Sequence, residues 1–408
     1  MTSRPQRSWR FVTIMGACVT SLVIAACGSS SSSSSPSSGS TTSQAAQTSA
    51  APTGPPIKVM IAGTLSGPTN LPELPHGAQA AAEDINAHGG VNGRPIDVIV
   101  CDDSNPSPDA CARKAVADHV AAVVGSQSLG INPILKANGI PQVGPYPFVP
   151  DDYTQPNEFP VSGGSVAAGA IVPFLTGQGV HKIQPLVLAG AFATSTAVTF
   201  MKETAARTPG VTILPPISLP FPSTDLSAQT QKAGSSGAQA IVVIAFPTQN
   251  VQVLSAARTA GLTQKLVFSG ATFPQALVDH VKAAANGVYT LSSFLPVSAN
   301  VPAIQQFKQD MAKYAPGQEL SDISLNSWAA VQMFAIAAKH ATTIDAAGIM
   351  KVMPTLKNVN LGVTGPFSYG QPGPMPGAPR VVNVNTYFGL VKNQVITPVS
   401  TTPTPAYP

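Results

Sequence analysis

Charge is scarce in this chain. Of its 408 residues only 10% are Asp, Glu, Lys or Arg, and the formal balance is +4. Arg4, Arg7 and Arg10 crowd the extreme N-terminus, so the remainder is close to neutral. That leaves no basic field for nucleic acid. Aromatic residues make up 6%. The six histidines, at 76, 88, 119, 181, 280 and 340, show no H-x-x-x-H or H-E-x-x-H spacing. There is no G-x-S-x-G elbow, Walker glycine-lysine loop or G-x-G-x-x-G. Asp102-Asp103 is the one pair of adjacent acids worth testing as catalytic carboxylates, but neighbours on a strand point to opposite faces. They read instead as support for the turn that follows. No catalytic group, cofactor or metal site is expected. Beyond the N-terminus no apolar run is long enough to cross a membrane.

The N-terminus is a different kind of segment. Its three arginines precede an apolar run, 11–26, that is too short and interrupted for a stable span and reads as a signal peptide, 1–26. Ile24-Ala25-Ala26-Cys27 resembles the bacterial lipobox, which implies a lipid on Cys27; an ordinary cleavage site with an incidental cysteine is the alternative. Residues 28–50 are almost wholly Ser, Thr, Gln, Ala and Gly, so 27–56 reads as a flexible tether. These features imply a lipoprotein at the outer face of the cell membrane. About 340 residues remain, enough for two lobes.

The most informative stretch is 59–105. An apolar run, 59–62, opens into Gly63-Thr64-Leu65-Ser66-Gly67-Pro68, where small residues let a ligand approach the backbone. Ala78, Ala81, Ala82 and Ile85 recur at helical spacing, and Gly89-Gly90 stops the helix. Asn92-Gly93 turns the chain into a second buried strand, 95–101. Within this β-α-β unit, G-x-x-S-G-P, then I-N-x-x-G-G-V-N-G-R and a strand ending D-D resemble the leucine/isoleucine/valine-binding family of type I periplasmic binding proteins. The likeness extends more weakly over most of the chain past residue 57.

Four cysteines occur. Cys18 leaves with the signal peptide and Cys27 carries the lipid, so Cys101 and Cys111 are the remaining pair. Cys101 ends a strand and Cys111 lies early in a helix beginning near 108. Outside the cytoplasm such a pair should be oxidised. Two free thiols or a metal site are the competing readings, and no further ligand stands beside them.

Strand–helix alternation continues along the chain. Strands are expected at 120–125, 140–143, 182–189, 211–214, 240–246 and 265–269, with helices between, and 159–164 and 287–294 as crossing strands. Helices are expected at 302–314 and 325–340, and strands at 364–369 and 381–391. This is an α/β, two-lobed pattern: each lobe is a parallel sheet flanked by helices, joined by crossing hinge strands. Lobe one takes 57–160 and 295–363, lobe two 161–294 and 364–397, and 398–408 is expected to be a disordered tail. Such sheets bind ligands at the carboxyl ends of their strands, and two lobes put the site in the cleft between them.

The resemblance places ligand contacts on those strand ends. In the first lobe it implies hydroxyl and N–H donors in Ser126-Gln127-Ser128, with Ser128 the nearest match, and Tyr146 where the family often has a P-A-x-T-like run. In the second it implies an aromatic at Phe192 and another at Phe246, in a register set by Ala257-Arg258-Thr259-Ala260-Gly261-Leu262. Thr272 lies in the strand end 269–272, where amino-acid-binding members carry a glutamate for the α-ammonium; none stands here. A buried ammonium without a carboxylate is costly. A neutral or acidic solute with an apolar part is therefore expected, with leucine, isoleucine and valine binding weakly, although Asp225, Asp279 or Glu73 could supply an acid from elsewhere. The expected function is capture of a small solute for an ABC importer, by a monomer that partners a membrane permease. A ligand sensor without transport and a surface-anchored hydrolase are the alternatives.

Overall fold

The computed structural model describes residues 51–408, apart from 68–69, 105–106 and 191 and the side chains of 192–195. The signal peptide, Cys27 and the tether up to residue 50 lie outside the described residues.

Two sheets organise the chain. The first runs β2-β1-β3-β4-β5, built from β1 (Ile57–Gly63), β2 (Ile96–Asp102), β3 (Ala122–Val124), β4 (Gln142–Val143) and β5 (Glu158–Phe159). All its pairings are parallel, with Ile57 opposite Ile96 and Val123 opposite Gln142. β1 is buried at every position but Lys58, as a strand covered on both faces must be. On one face the helix Leu74–Ala87 lies under the helix Asp322–His340. Their approach needs Gly77, because a Cβ there would fall 1.9 Å from the Ser324 carbonyl oxygen. Trp328 Nε1 donates to Asp310 Oδ2 (2.7 Å), fastening the long helix to the helix Pro302–Tyr314. The other face carries the helix Pro108–Ala117, whose Cys111 is disulfide-bonded to Cys101 with Cα atoms 5.8 Å apart. Neither free thiols nor a metal holds this pair.

The second sheet runs β7-β6-β9-β10-β11-β12-β13. Its strands are β6 (Lys182–Leu188), β7 (Thr212–Ile213), β8 (Ile217–Leu219), β9 (Ala240–Ile244), β10 (Lys265–Ser269), β11 (Tyr289–Ser292), β12 (Asn385–Lys392), β13 (Val395–Pro398) and β14 (Thr404–Pro405). β6 to β11 pair in parallel, β8 joining beside β7, while β12, β13 and β14 add an antiparallel edge. Apolar clusters cover both faces.

Three stretches of chain pass between the sheets, and they are laced together. Gly163 N–H donates to Ser293 Oγ (2.8 Å), and Asn383 Nδ2 donates to Val161 O (2.7 Å) and Thr364 Oγ1 (3.0 Å). Tyr369 Oη donates to the carbonyls of Phe159 and Pro160 at 3.0 and 2.8 Å.

Three expectations fail here. The strand expected over 159–164 ends at Phe159, where Pro160 offers no N–H to continue the ladder, and Gly164 then turns at φ +50° beside the Pro147 carbonyl. The strand expected over 364–369 reduces to a single bridge between Val359 and Phe367. The tail expected to be disordered over 398–408 is folded: β14 pairs with β12, Ala406 is fully buried, and Thr204 Oγ1 donates to Ala406 O (2.8 Å). Proline there suits an edge strand, where a missing donor costs nothing.

Candidate ligand-binding cleft

The parallel strands of both sheets end in the loops that bear the candidate contacts. After β1, the loop 64–66 is held by the two acids that end β2. Leu65 N–H donates to Asp102 Oδ1 (3.0 Å), and Thr64 Oγ1 donates to Asp103 Oδ1 (2.9 Å). Hydrogen bonds from Ser104, then Ser66 and the Leu65 amide, hold the Asp102 carboxyl far below the ordinary carboxylate range. These acids shape a loop.

After β3, the three expected donors divide. Ser126 is buried and its Oγ accepts from Ala62 N–H (2.9 Å), so it stitches β1 to β3. Gln127 Oε1 and Ser128 Oγ are buried with no protein partner among the described residues. After β4, Gly144 passes under the long helix with φ +67°, where a Cβ would sit 2.4 Å from that of Ala330. Asn326 Nδ2 donates to the Gly144 carbonyl (2.9 Å). Tyr146 then points across the seam between lobes. Burial first, and the charge of Asp322 second, push its hydroxyl up to about 12, against a hydrogen bond with Ser269.

In the second lobe Phe246 caps the helix Pro247–Thr259, half-buried, with Phe221 edge-on at 5.5 Å. Phe192 opens the helix Phe192–Ala205, and its side chain lies outside the described residues. Thr272 is already engaged: Asn250 Nδ2 donates to its carbonyl (2.8 Å) and its Oγ1 (3.0 Å).

Two small cavities open along the seam. One is lined by Tyr146, Gly164, Ala167, Ser269 and Ser292, the other by Gly270, Gln275, Thr290, Ser292 and Tyr387. Asp322 borders both. Of the seven expected contacts, Tyr146 lines one of these two cavities; Ser126 and Thr272 have their hydrogen bonds filled elsewhere, Gln127, Ser128 and Phe246 are not among the lining residues of either, and the Phe192 side chain is outside the described residues.

Asp322 is the residue that sequence reasoning missed. It is the first residue of the helix Asp322–His340, whose N-cap Ser321 and Ser324 exchange hydrogen bonds, Ser321 N–H to Ser324 Oγ (3.0 Å) and Ser324 N–H to Ser321 Oγ (3.3 Å). Burial drives its carboxyl up to about 6, against a hydrogen bond from Ser292. The premise that no acid stands near the 269–272 strand end is thereby corrected: Asp322 Oδ2 lies 2.5 Å from where a Gly270 Cβ would be. Its acid comes from the opposite lobe, which no local pattern around 272 reveals. Of the acids weighed instead, Asp225 and Asp279 are exposed, and Glu73, just before the helix Leu74–Ala87, is half-buried with its carboxyl pushed up by burial. Among the described residues no group of three or more His, Cys, Asp or Glu is arranged to hold a metal ion, and no helix is long and apolar enough to cross a membrane.

Two sheets with strand ends facing a hinged seam define a solute-binding protein of the two-lobed type. The sequence says which: residues 56–386 match the family model described as periplasmic binding protein, and the chain belongs to that family, as a type I member of its leucine/isoleucine/valine-binding branch. Its relatives include the Leu/Ile/Val-binding protein homolog 7 of Brucella abortus (strain 2308), 24% identical over 349 residues, covering 79% of this chain and 86% of that one. Among solved structures it is similar to a possible leucine/isoleucine/valine-binding protein from Rhodopirellula baltica (TM-score 0.72, 16% identity, 85% and 96% of the two chains). It is also similar to a fatty acid ABC transporter substrate-binding protein from Thermomonospora curvata (0.70, 18%, 87% and 94%). A third is LivJ from Streptococcus pneumoniae, in complex with isoleucine (0.67, 21%, 84% and 99%). The family is one of extracytoplasmic proteins that bind small solutes and work with ABC transporters.

Proposed function

We propose that this protein is the lipid-anchored solute-binding component of an ABC importer, held at the outer face of the cell membrane by a lipid on Cys27 and the tether 27–56. It acts as a monomer, does no chemistry, takes a small organic solute between lobes 57–160/295–363 and 161–294/364–397, and presents the closed form to a permease. The observation that carries the reading is convergence. Tyr146 and Asp322 from one lobe meet Ser269, Gly270 and Ser292 from the other along one seam. Tyr146 with Ser269 and Asp322 with Ser292 already join the lobes across that seam, and a solute held beside them would add contacts to both lobes at once, which is how binding drives closure.

The solute is one other than leucine, isoleucine or valine. The strand end 269–272 has no acid, Thr272 is held by Asn250, and the nearby acid has moved to the opposite lobe. Neighbours of similar fold are named for a branched-chain amino acid in one case and a fatty acid in another, so the fold leaves the ligand to the cleft side chains. Native mass spectrometry on protein isolated from its own membranes tests this. A retained small organic solute that leaves on unfolding is expected; leucine, isoleucine or valine in that place would refute the solute assignment.

A further inference from the structure

We propose that Asp322 recognises a cationic nitrogen on the solute, an ammonium or amidinium group, at the seam between the lobes. This rests on the solute-binding reading and adds to it the charge of the ligand.

The placement comes first. Asp322 opens a helix whose start is set by the Ser321–Ser324 box and whose body is pinned through Trp328 to Asp310. The carboxylate is thus fixed on the first lobe and borders both cavities. The facing wall belongs to the second lobe, and it is cut back to receive the acid: Gly270 carries no Cβ where one would lie 2.5 Å from Asp322 Oδ2.

The surroundings come second. The polar groups around the carboxyl are the hydroxyls of Tyr146 and Ser292, with Ser269 beyond Tyr146, and, lining the second cavity with it, Gln275, Thr290, Ser321 and Tyr387; all are neutral at physiological pH. No Lys, Arg or His among the described residues pairs with it; the ion pairs there are surface contacts one helical turn apart. A carboxylate removed from water without a cation is costly, and its raised pKa reports that cost. A cationic ligand group would offset it, and an anionic one would add repulsion at short range in a medium of low dielectric. Because the acid and the Gly270–Ser292 wall lie on different lobes, a cation held there touches both, so charge recognition and closure coincide.

The test uses two probes with similar apolar bodies and opposite charge, 3-methylbutylamine and 4-methylpentanoate, titrated by calorimetry at about pH 7.5. The wild type should bind the amine at least about tenfold more tightly, and Asp322→Asn should abolish that preference. Circular dichroism and melting would show the variant folded, and Asp322→Glu should recover part of the preference. Equal or tighter binding of the acid, no binding of the amine, or unchanged amine affinity in Asp322→Asn would each overturn the assignment. If the acid binds and the amine does not, solute capture stands and only cation recognition falls. If neither binds and protein from its own membranes carries no solute, solute capture falls with it.

Discussion

Replacing Asp322 by asparagine should make the unliganded protein more stable at neutral pH while it weakens binding. The carboxyl moves from its ordinary 3.8 to about 6 on folding, with burial the largest cause and the Ser292 hydrogen bond opposing it. At 1.36 kcal/mol per pH unit this is about 3 kcal/mol of penalty on the ionised form. The sign follows from the direction. A carboxyl whose folded pKa is raised contributes its stability below pH 3.8 and loses it as pH rises through about 6. Asparagine keeps the shape and never ionises, so the penalty is absent at every pH. Against this stands the loss of a negative charge in the first helical turn, about 0.3–1 kcal/mol. Contact with the two cavities also lessens the penalty. A net gain of about 1–2 kcal/mol at pH 8 remains, or roughly 1–3 °C in Tm for a unit this size. Asp152 and Glu158, also buried with raised pKa values, give both proteins the same background pH dependence, so the difference isolates Asp322. Denaturant melts of ligand-stripped protein from pH 4 to pH 8 would show the gap closing toward pH 4. A variant less stable than wild type at pH 8, or a gap that ignores pH, would refute the reasoning.

Other outcomes follow from the same residues. Cys27→Ala should move the protein from the membrane fraction to the soluble fraction; unchanged detergent partitioning would refute the lipid anchor. Cys111→Ser should cost about 3 kcal/mol, the chain-entropy value for so short a loop, read as a lower denaturation midpoint under oxidising conditions. Phe246→Ala should weaken binding of the retained solute by about 1–3 kcal/mol in a calorimetric titration, and unchanged affinity would remove Phe246 from the site.

The fold was most legible where local rules and burial agreed. In the unit 59–105 the apolar β1 is covered by helices on both faces and Gly89 and Gly90 turn with positive φ where the helix stops, but β2, expected to be buried, lies at the sheet edge with Ile96 alone buried and Asp97 and Val100 exposed. Asp102 accepts from Ser104 in the turn that follows, as expected, but both acids also hold the loop 64–66 after β1, a distant segment that the local pattern does not reveal. Legibility failed where a distant segment decided the outcome. Nothing in the Pro- and Thr-rich tail announces that β12 offers an open edge for Thr404–Pro405 or that Thr204 reaches the Ala406 carbonyl. The 159–164 segment is apolar enough for a strand, yet Gly164 turns at φ +50° where the Pro147 carbonyl leaves no room for a Cβ.

The site shows the same division more sharply. Strand ends could be found from the sequence, but the state of each donor could not. Ser126 and Ser128 look interchangeable in Gly125-Ser126-Gln127-Ser128; one is consumed by the Ala62 amide and the other is buried with its hydroxyl unpartnered. Thr272 looks available until Asn250 is placed against it. Asp322 reads in sequence as an ordinary acid in a helix's first turn, beside an ordinary N-cap serine, where such charges favour the helix dipole. What sets it apart is the second lobe. Gly270 clears the space, Ser292 supplies the hydroxyl, and the closing of two sheets from distant stretches of chain brings both against it. A carboxylate in that position is expensive to keep, and nothing in the helix requires it, since Ser321 and Ser324 already cap the backbone. Retaining an acid there at a cost in stability is what a cation-recognising site demands, which is why the gain predicted for Asp322→Asn in stability and its predicted loss in binding must appear together.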